Sequence, residues 1–427
     1  MNTQQNILNF ISKATSPFHV VKAVTSKLAE CGYLEIDFQK DWSLEKGKSY
    51  YCNIFDTTLF AFTIPNTINE NSMFRITASH TDHPCFRIKP NSDVREKGYH
   101  KINVEPYGGV ILNTWLDRPL SVAGKITLKS TDIFHPKTRI FDLQKPVFTI
   151  PNLAIHMNRQ VNQGIELNKQ VHMQPLFALE NEDIDFIDYI AKELNIEAND
   201  ILDYDMYIYN CEEGCTLGYQ DCMISSPRLD NLTSVFAQAE ALCKVSSSTN
   251  DFNFAIFYDN EEIGSKTKQG ADSMLTTLLL KKVLEACNIN PETLNTMLFN
   301  SIMISSDVAH ALHPNYSEKY DTTNVTHFNE GIVIKINYNQ KYATDTEAIG
   351  IVQQLCINNN IPYQKFVNRS DQPGGSTLGS ISSAWLPMRT IDIGIPILAM
   401  HSSRELCGGK DIESMINLFV AFYGYTN

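Results

Sequence analysis

No apolar run in this sequence approaches the roughly 20 residues that a helix needs to cross a bilayer. The opening MNTQQNILNF lacks both the cationic start and the apolar core of a secretory leader, which points to a cytoplasmic home. Basic residues are in the minority, 35 Lys and Arg against 48 Asp and Glu, and the net charge of −13 argues against a broad nucleic-acid surface. A negative chain can still hold a locally positive pocket, so the charge does not select basic substrates. Cysteine motifs are scarce. Of the ten cysteines only Cys211, Cys215 and Cys222 cluster, and a structural zinc site needs four ligands in pairs two to four residues apart, a spacing that only Cys211 and Cys215 fit. In a reducing compartment all ten are expected to be free thiols.

What is present is a soluble globular composition, 43% hydrophobic and 19% charged, in a chain of 427 residues, long enough for two domains. Residues 5–31 carry helical periodicity through Ile7, Leu8, Ile11, Val20, Val21, Val24 and Leu28, and Ser16-Pro17 splits the helix in two. Between about 92 and 218 short β-branched and aromatic runs (GGVILNTW, SVAGKITLK, RIFDL, PVFTIP) alternate with Gly, Pro and Asp, the pattern of an all-β unit. An acidic stretch, NEDIDFIDYIAKELNIEANDILD, follows, with a helix expected in its middle. Beyond about 220 helices and strands alternate, which implies a mostly parallel sheet. Ser246 to Asn250 reads as a surface loop. The expected fold is α/β, a mostly parallel sheet flanked by helices, formed by residues 1–91 and 220–427 and interrupted by a β-rich domain at 92–219.

Several strand ends in that sheet carry metal-ligating side chains. His80 ends FRITASH; Asp259, Glu261 and Glu262 follow FNFAIFY; Asp307 follows SIMISS; His401 follows the apolar run ending at Met400. Asp230 precedes an amphipathic helix built on Leu232, Val235, Phe236, Ala239 and Leu242. Carboxyl ends of parallel strands open into one crevice, so these groups converge. Two imidazoles and three carboxylates suit zinc or a similar divalent ion. Five ligands exceed what one catalytic zinc takes, and a shared carboxylate bridging two ions accommodates them, with the ions roughly 3.5–4 Å apart. Singly each residue has a plainer explanation: Asp230 as a helix N-cap, Glu261-Glu262 as a solvated turn, His401 as a hydrogen-bonded structural histidine.

The segments SHTDHPCFRIKP, YGGVILNTWLDRPLSVAGKI, IPNLAIHMNR, SSPRLDNLTSVFAQAEAL, FYDNEEIGSKTKQGA, SSDVAHALHPNY, GIVIKINYNQKYATD and MHSSRELCGGKD, in this order, resemble the aspartyl aminopeptidase family, as does the opening Ser16-Pro17-Phe18-His19. The resemblance implies metal ligands His80, Asp230, Glu262, Asp307 and His401, with Asp230 bridging two ions, expected to be zinc with manganese or cobalt as alternatives. It implies Glu261 as the general base and Asp82 as the acid that orients the His80 ring; residues i and i+2 of an extended segment share a face, so that pair can touch. It implies that His156 reaches a neighbouring subunit's site and steadies the oxyanion, against the plainer reading of a histidine on the β-domain surface. Lys335 is implied to recognise an acidic substrate side chain, against a surface lysine, and Gly374-Gly375-Ser376, which lacks the lysine and spacing of a phosphate loop, is read as a turn beside the substrate. His310 and His313 are read as structural.

Three residues depart from the family pattern: Tyr320 and Asn324 stand where animal members carry histidines, and His83 replaces a small residue. The expectation is a dinuclear metalloaminopeptidase acting on peptides with acidic N-terminal residues, dimeric through its β domain and assembled as a tetrahedral dodecamer, without nucleic-acid or membrane partners. The rivals are a dinuclear carboxypeptidase or deacylase, and a non-catalytic shell-forming binding protein. Loss of Glu261 or of a ligand would favour the last, and none is missing.

Overall fold

The computed structural model describes residues 2–245 and 250–426. The loop expected at Ser246 to Thr249 lies outside the described residues. The chain forms two compact units, one of Met1–Asp82, Gly214–Met400 and Glu405–Asn427, the other of His83–Glu213 and His401–Arg404. The expected limits at 91/92 and 219/220 lie within the Cys85–Glu96 strand and the Tyr219–Asp221 turn, a few residues from the 82/83 and 213/214 divisions of the two units.

The first unit is built on a nine-stranded sheet in the order Leu34–Glu35, Ser49–Ile54, Thr58–Thr63, Phe252–Tyr258, Phe74–His80, Ile302–Ser306, Arg389–Gly394, Ile332–Ile336 and Tyr363–Val367. Four central strands, Phe252–Tyr258, Phe74–His80, Ile302–Ser306 and Arg389–Gly394, are mutually parallel. FRITASH and FNFAIFY are buried at every position, as strands covered on both faces must be. Alternation along them divides the core. Ala255 and Phe257 join one cluster with Leu232, Val235 and Phe419, whereas Phe254 and Ile256 join another with Leu279, Val283 and Leu378. Helices therefore cover both faces, which is the expected α/β architecture.

The N-terminal helix pair breaks where the sequence placed it. Thr3–Lys13 ends before Ser16, and Pro17 opens Pro17–Glu30, where its missing N–H costs nothing. Ser16 Oγ lies 2.8 Å from His19 Nδ1, which fixes that opening turn. A small five-stranded sheet, Cys215–Leu217, Met223–Ser226, Glu405–Gly408, Pro396–Leu398 and Ala309–His310, completes the unit. The free-thiol expectation fails at one pair: Cys31 and Cys243 form a disulfide with Cα atoms 5.5 Å apart, while Cys211, Cys215 and Cys222 are in no disulfide.

The second unit is a six-stranded, wholly antiparallel sheet, Lys137–Asp142, Leu120–Leu128, Ile201–Asn210, Cys85–Glu96, Tyr99–Tyr107 and Leu176–Leu179. The Phe186–Leu194 helix lies within the acidic stretch as expected, and Phe186 packs with Phe148, Phe177 and Tyr189. Among the described residues no helix is long and apolar enough to cross a membrane.

Candidate metal centre

Parallel pairing aligns the carboxyl ends of the central strands, and the acids gather there. His80 pairs in register with Tyr258, so the turn after Tyr258 delivers Asp259, Glu261 and Glu262 beside it. Asp307 follows Ser306 on the neighbouring strand, and its N–H donates to Ile393 O at 3.0 Å. Asp230 comes from the other side, at the start of the Leu229–Lys244 helix. It does not act as an N-cap: Asp230 and Asn231 are both non-helical, and the bond between them is cis. The Asp230 N–H is held by Glu405 Oε2 at 2.9 Å, and Asn231 Nδ2 donates to Ser306 O at 2.9 Å.

His80 Nε2 stands 3.5 Å from Asp230 Oδ1 and 3.5 Å from Asp307 Oδ1. One ligand atom from each of the three lies within 4.8 Å of the others, and the same holds for His80, Glu261 and Glu262. His80 Nδ1 faces the carbonyl of Asp82 at 3.0 Å, with Asp82 Oδ1 at 3.4 Å. An Nδ1–H donating to that carbonyl leaves Nε2 with its lone pair toward the acids, the tautomer a ligating imidazole needs. The Asp82 carboxylate also accepts the N–H groups of Glu261 and Glu262, each at 3.1 Å, so it fixes both the ring and the acidic turn.

Four carboxylates around one buried imidazole form a site that attracts a cation. Burial by itself would lower the His80 pKa, yet hydrogen bonds to Asp230, Asp307 and Asp82 carry it well above the ordinary value. Glu261 is raised to about 8, by burial first and also by Asp307, Asp82 and Asp230, against the opposing pull of His80. Nitrogen and carboxylate donors at this density fit zinc.

His401 belongs to the second unit. Its Nδ1 lies 3.1 Å from Gly109 O, its carbonyl accepts the Ile111 N–H, and its own φ is positive, at 67°. A Cβ on Gly109 would come within 2.9 Å of that Nδ1, so glycine is needed for the approach. The Gly109 contact orients the ring as Asp82 orients that of His80.

Lys335 is not a surface lysine. It is 2% exposed, its Nζ lies 3.1 Å from Val308 O and 3.5 Å from Asp307 Oδ2, and it sits 5.2 Å from the centre of the Tyr342 ring. Its strand runs antiparallel to Arg389–Gly394, so Lys335 starts below the acids and its long stem reaches up to them. Ser376 is exposed in the segment leading to the Leu378–Trp385 helix. His156 is exposed in a turn of the second unit, flanked by exposed Leu153, Ile155 and Met157. His83 is buried. The His310 ring packs on Phe366 and that of His313 on Tyr316. Asn324 is engaged with Asp321, and Tyr320 is half-buried.

Reading the sequence missed Glu405, which positions Asp230. Asp259 is named at its strand end but given no role there; burial and then Asp82 raise its pKa to about 7, and its oxygens hold Asn260 and Gln269. A cavity of about 600 Å³ lined by Met73, Arg75, Ile302, Leu355 and Phe422 lies at the amino ends of the same strands, away from this chemistry.

The family model described as aminopeptidase I zinc metalloprotease (M18) matches residues 10–423. The chain belongs to the peptidase M18 family. It is thus a zinc metalloprotease of the aminopeptidase class. A probable M18 family aminopeptidase 2 of Clostridium novyi is 44% identical over 422 residues, covering 98% of this chain and 97% of that one. Another, of Pseudomonas fluorescens, is 36% identical over 425 residues, covering 98% and 97%. Among solved M18-like structures, Ape4 in the Ape4 and Nbr1 complex is 32% identical with a TM-score of 0.95, covering 99% of this chain and 85% of that one. The Saccharomyces mApe1 dodecamer is 27% identical with a TM-score of 0.86, covering 99% and 96%.

Proposed function

We propose that this M18 enzyme removes the N-terminal residue of peptides, acidic residues first, at a centre holding two zinc ions. The observation that carries the reading is the placement of His80 Nε2 3.5 Å from both Asp230 and Asp307 with Glu261 and Glu262 alongside. His80 and Asp307 would hold one ion, Glu262 and His401 the other, and Asp230 both. Zinc bound there would polarise the scissile carbonyl and lower the pKa of water, and manganese or cobalt could stand in for it.

The remaining work falls to the chain. Glu261 would take a proton from the attacking water and hand it to the leaving amine, a task suited to a carboxyl whose main chain is already held by Asp82. Asp82 keeps both the His80 ring and the Glu261 turn in place. Lys335 supplies the cation nearest the acids, and with Ser376 it would meet an acidic substrate side chain. His156 would donate to the developing oxyanion of a neighbouring subunit.

Exposed Leu153, Ile155 and Met157 beside His156 support a subunit interface in the second unit, because apolar residues clustered on a surface mark such contacts. The likeness to the mApe1 dodecamer supports assembly of dimers into a twelve-subunit shell. A cytoplasmic site of action and peptide substrates complete the reading. Turnover of a panel of aminoacyl amides, N-blocked and free, by enzyme reconstituted with defined metals tests it. Cleavage of N-blocked substrates at the carboxyl end would overturn the aminopeptidase assignment in favour of a carboxypeptidase.

A further inference from the structure

Asp392 is a fully buried carboxylate in a strand whose neighbours Ile391 and Ile393 are core residues. Nothing in the mechanism above uses it. Burying a charge is costly unless it is paired and hydrogen-bonded, so its surroundings should show what it holds. Oδ1 accepts the hydroxyls of Ser305 at 2.6 Å and Thr377 at 2.7 Å, and Oδ2 accepts the Ala343 N–H at 2.6 Å. The Asp392 N–H donates to Thr344 Oγ1 at 3.0 Å. Three separate segments therefore meet on one side chain.

The sheet register adds a fourth. Ser305 is the direct partner of Asp392 on one side. On the other, the antiparallel pairing of Val333 with Gly394 and Ile334 with Ile393 brings Lys335 opposite Asp392 in the next position. Residues so opposed share a face and lie within reach of each other.

Two local features show that the arrangement overrides ordinary preferences. Thr377 is the N-cap of the Leu378–Trp385 helix, yet its hydroxyl makes no capping bond and turns to Asp392 instead. Gly379 in that helix would place a Cβ 2.7 Å from each Asp392 oxygen, so the helix approaches only because this position has no side chain.

We propose that Asp392 is a specificity-determining positioning residue: it anchors Lys335 from below and ties to it the segments that carry Tyr342 and Ser376. The substrate's N-terminal side chain would thus meet a pocket whose cation and two walls share one buried post. This rests on the acidic-substrate reading above.

The test compares wild type and D392N, zinc-loaded, on an aspartyl amide and an alanyl amide, with metal content measured in both. Loss of a hydrogen-bonded charge costs 1.5–3 kcal/mol, so the acidic-to-neutral ratio of kcat/KM should fall about ten-fold or more, mainly through KM for the acidic substrate. Metal content and turnover of the alanyl amide should stay within about two-fold, a pattern that general misfolding does not give. A ratio that is unchanged, or a parallel loss on both substrates, overturns the proposal. A wild type that prefers neutral residues overturns the acidic reading instead, and Asp392 is then judged by whether D392N moves that preference. Should D392N fail to fold, T377V and S305A each remove one donor and keep the charge; an unmoved ratio in both overturns the proposal.

Discussion

Asp82 accepts the backbone N–H of Glu261 at 3.1 Å, so the residue assigned to proton transfer is held by its main chain and its side chain is left to act. Glu261→Gln keeps that hook. The variant should retain its fold and zinc but lose the ~10²–10⁴-fold that positioned general catalysis contributes. Kinetics with parallel metal analysis decide the point: a variant that loses zinc yet keeps its rate per zinc means Glu261 and Glu262 have exchanged roles.

Removal of metal should abolish turnover and also loosen the first unit. The acids around His80 lose the cation that balances them, and a ligand present at 1,000 times its Kd contributes about 4 kcal/mol of stability. Chelated enzyme should therefore unfold at lower temperature than enzyme resupplied with zinc, with elemental analysis approaching two ions per chain. Full turnover after complete metal removal would falsify the assignment.

His156→Ala should cut turnover by ~10²–10³, the worth of one preorganised oxyanion donor, with metal content and dimerisation unchanged. Mixing His156→Ala with Glu261→Gln chains should restore activity once subunit exchange is shown by tag pull-down, because one mixed site then pairs an intact Glu261 with an intact His156. Mixed dimers without activity would mean that His156 acts within its own chain.

Asp411 gives a pH signature remote from the metal ligands. Its carboxylate accepts the N–H groups of Asn329 and Gly331, but burial outweighs them and raises its pKa from 3.8 to about 6. Between those values the folded chain holds the extra proton, so the contribution of this group to stability is greatest below about 4 and falls as pH rises through about 6. Asp411→Asn cannot titrate. Wild type should lose up to about 3 kcal/mol relative to the variant between pH 4 and pH 7, at about 1.4 kcal/mol per unit. Unfolding curves whose separation is the same at both pH values would refute this.

Closing Cys31 to Cys243 spans 212 positions, a long loop whose closure should contribute about 2–4 kcal/mol by restricting the unfolded chain. Dithiothreitol should lower the melting temperature of wild type by a few degrees and leave that of Cys31→Ser unmoved, with kcat equal in both. A reductant effect of the same size on both proteins would show that other groups are responsible.

Much of this was legible because the relevant signals are local. Pro17 announces a helix start, FRITASH and FNFAIFY announce buried strands, and a ligating residue directly after each strand announces the crevice. What stayed hidden depends on pairing across long separations. The apolar run ending at Met400 is broken at Ile395 into Arg389–Gly394 and Pro396–Leu398, which join different sheets. Periodicity does not record such a change of partner. Asp392 looks like an interruption in an apolar strand until Ser305, Thr377 and Ala343 are seen around it. Lys335 admits both a surface and a site reading, and nothing local records that its side chain is buried with Nζ 3.5 Å from Asp307 Oδ2. Cys31 and Cys243 lie too far apart in sequence for any spacing rule to pair them.

The four-residue return of His401–Arg404 to the second unit bears on synthesis. Residues 83–213 leave the ribosome long before the stretch that completes their unit, and the Arg389–Gly394 strand must slot between two strands made earlier, Ile302–Ser306 and Ile332–Ile336. Both the second unit and the nine-stranded sheet therefore draw on residues near the end of the chain, so neither is complete in a chain cut short before Arg389.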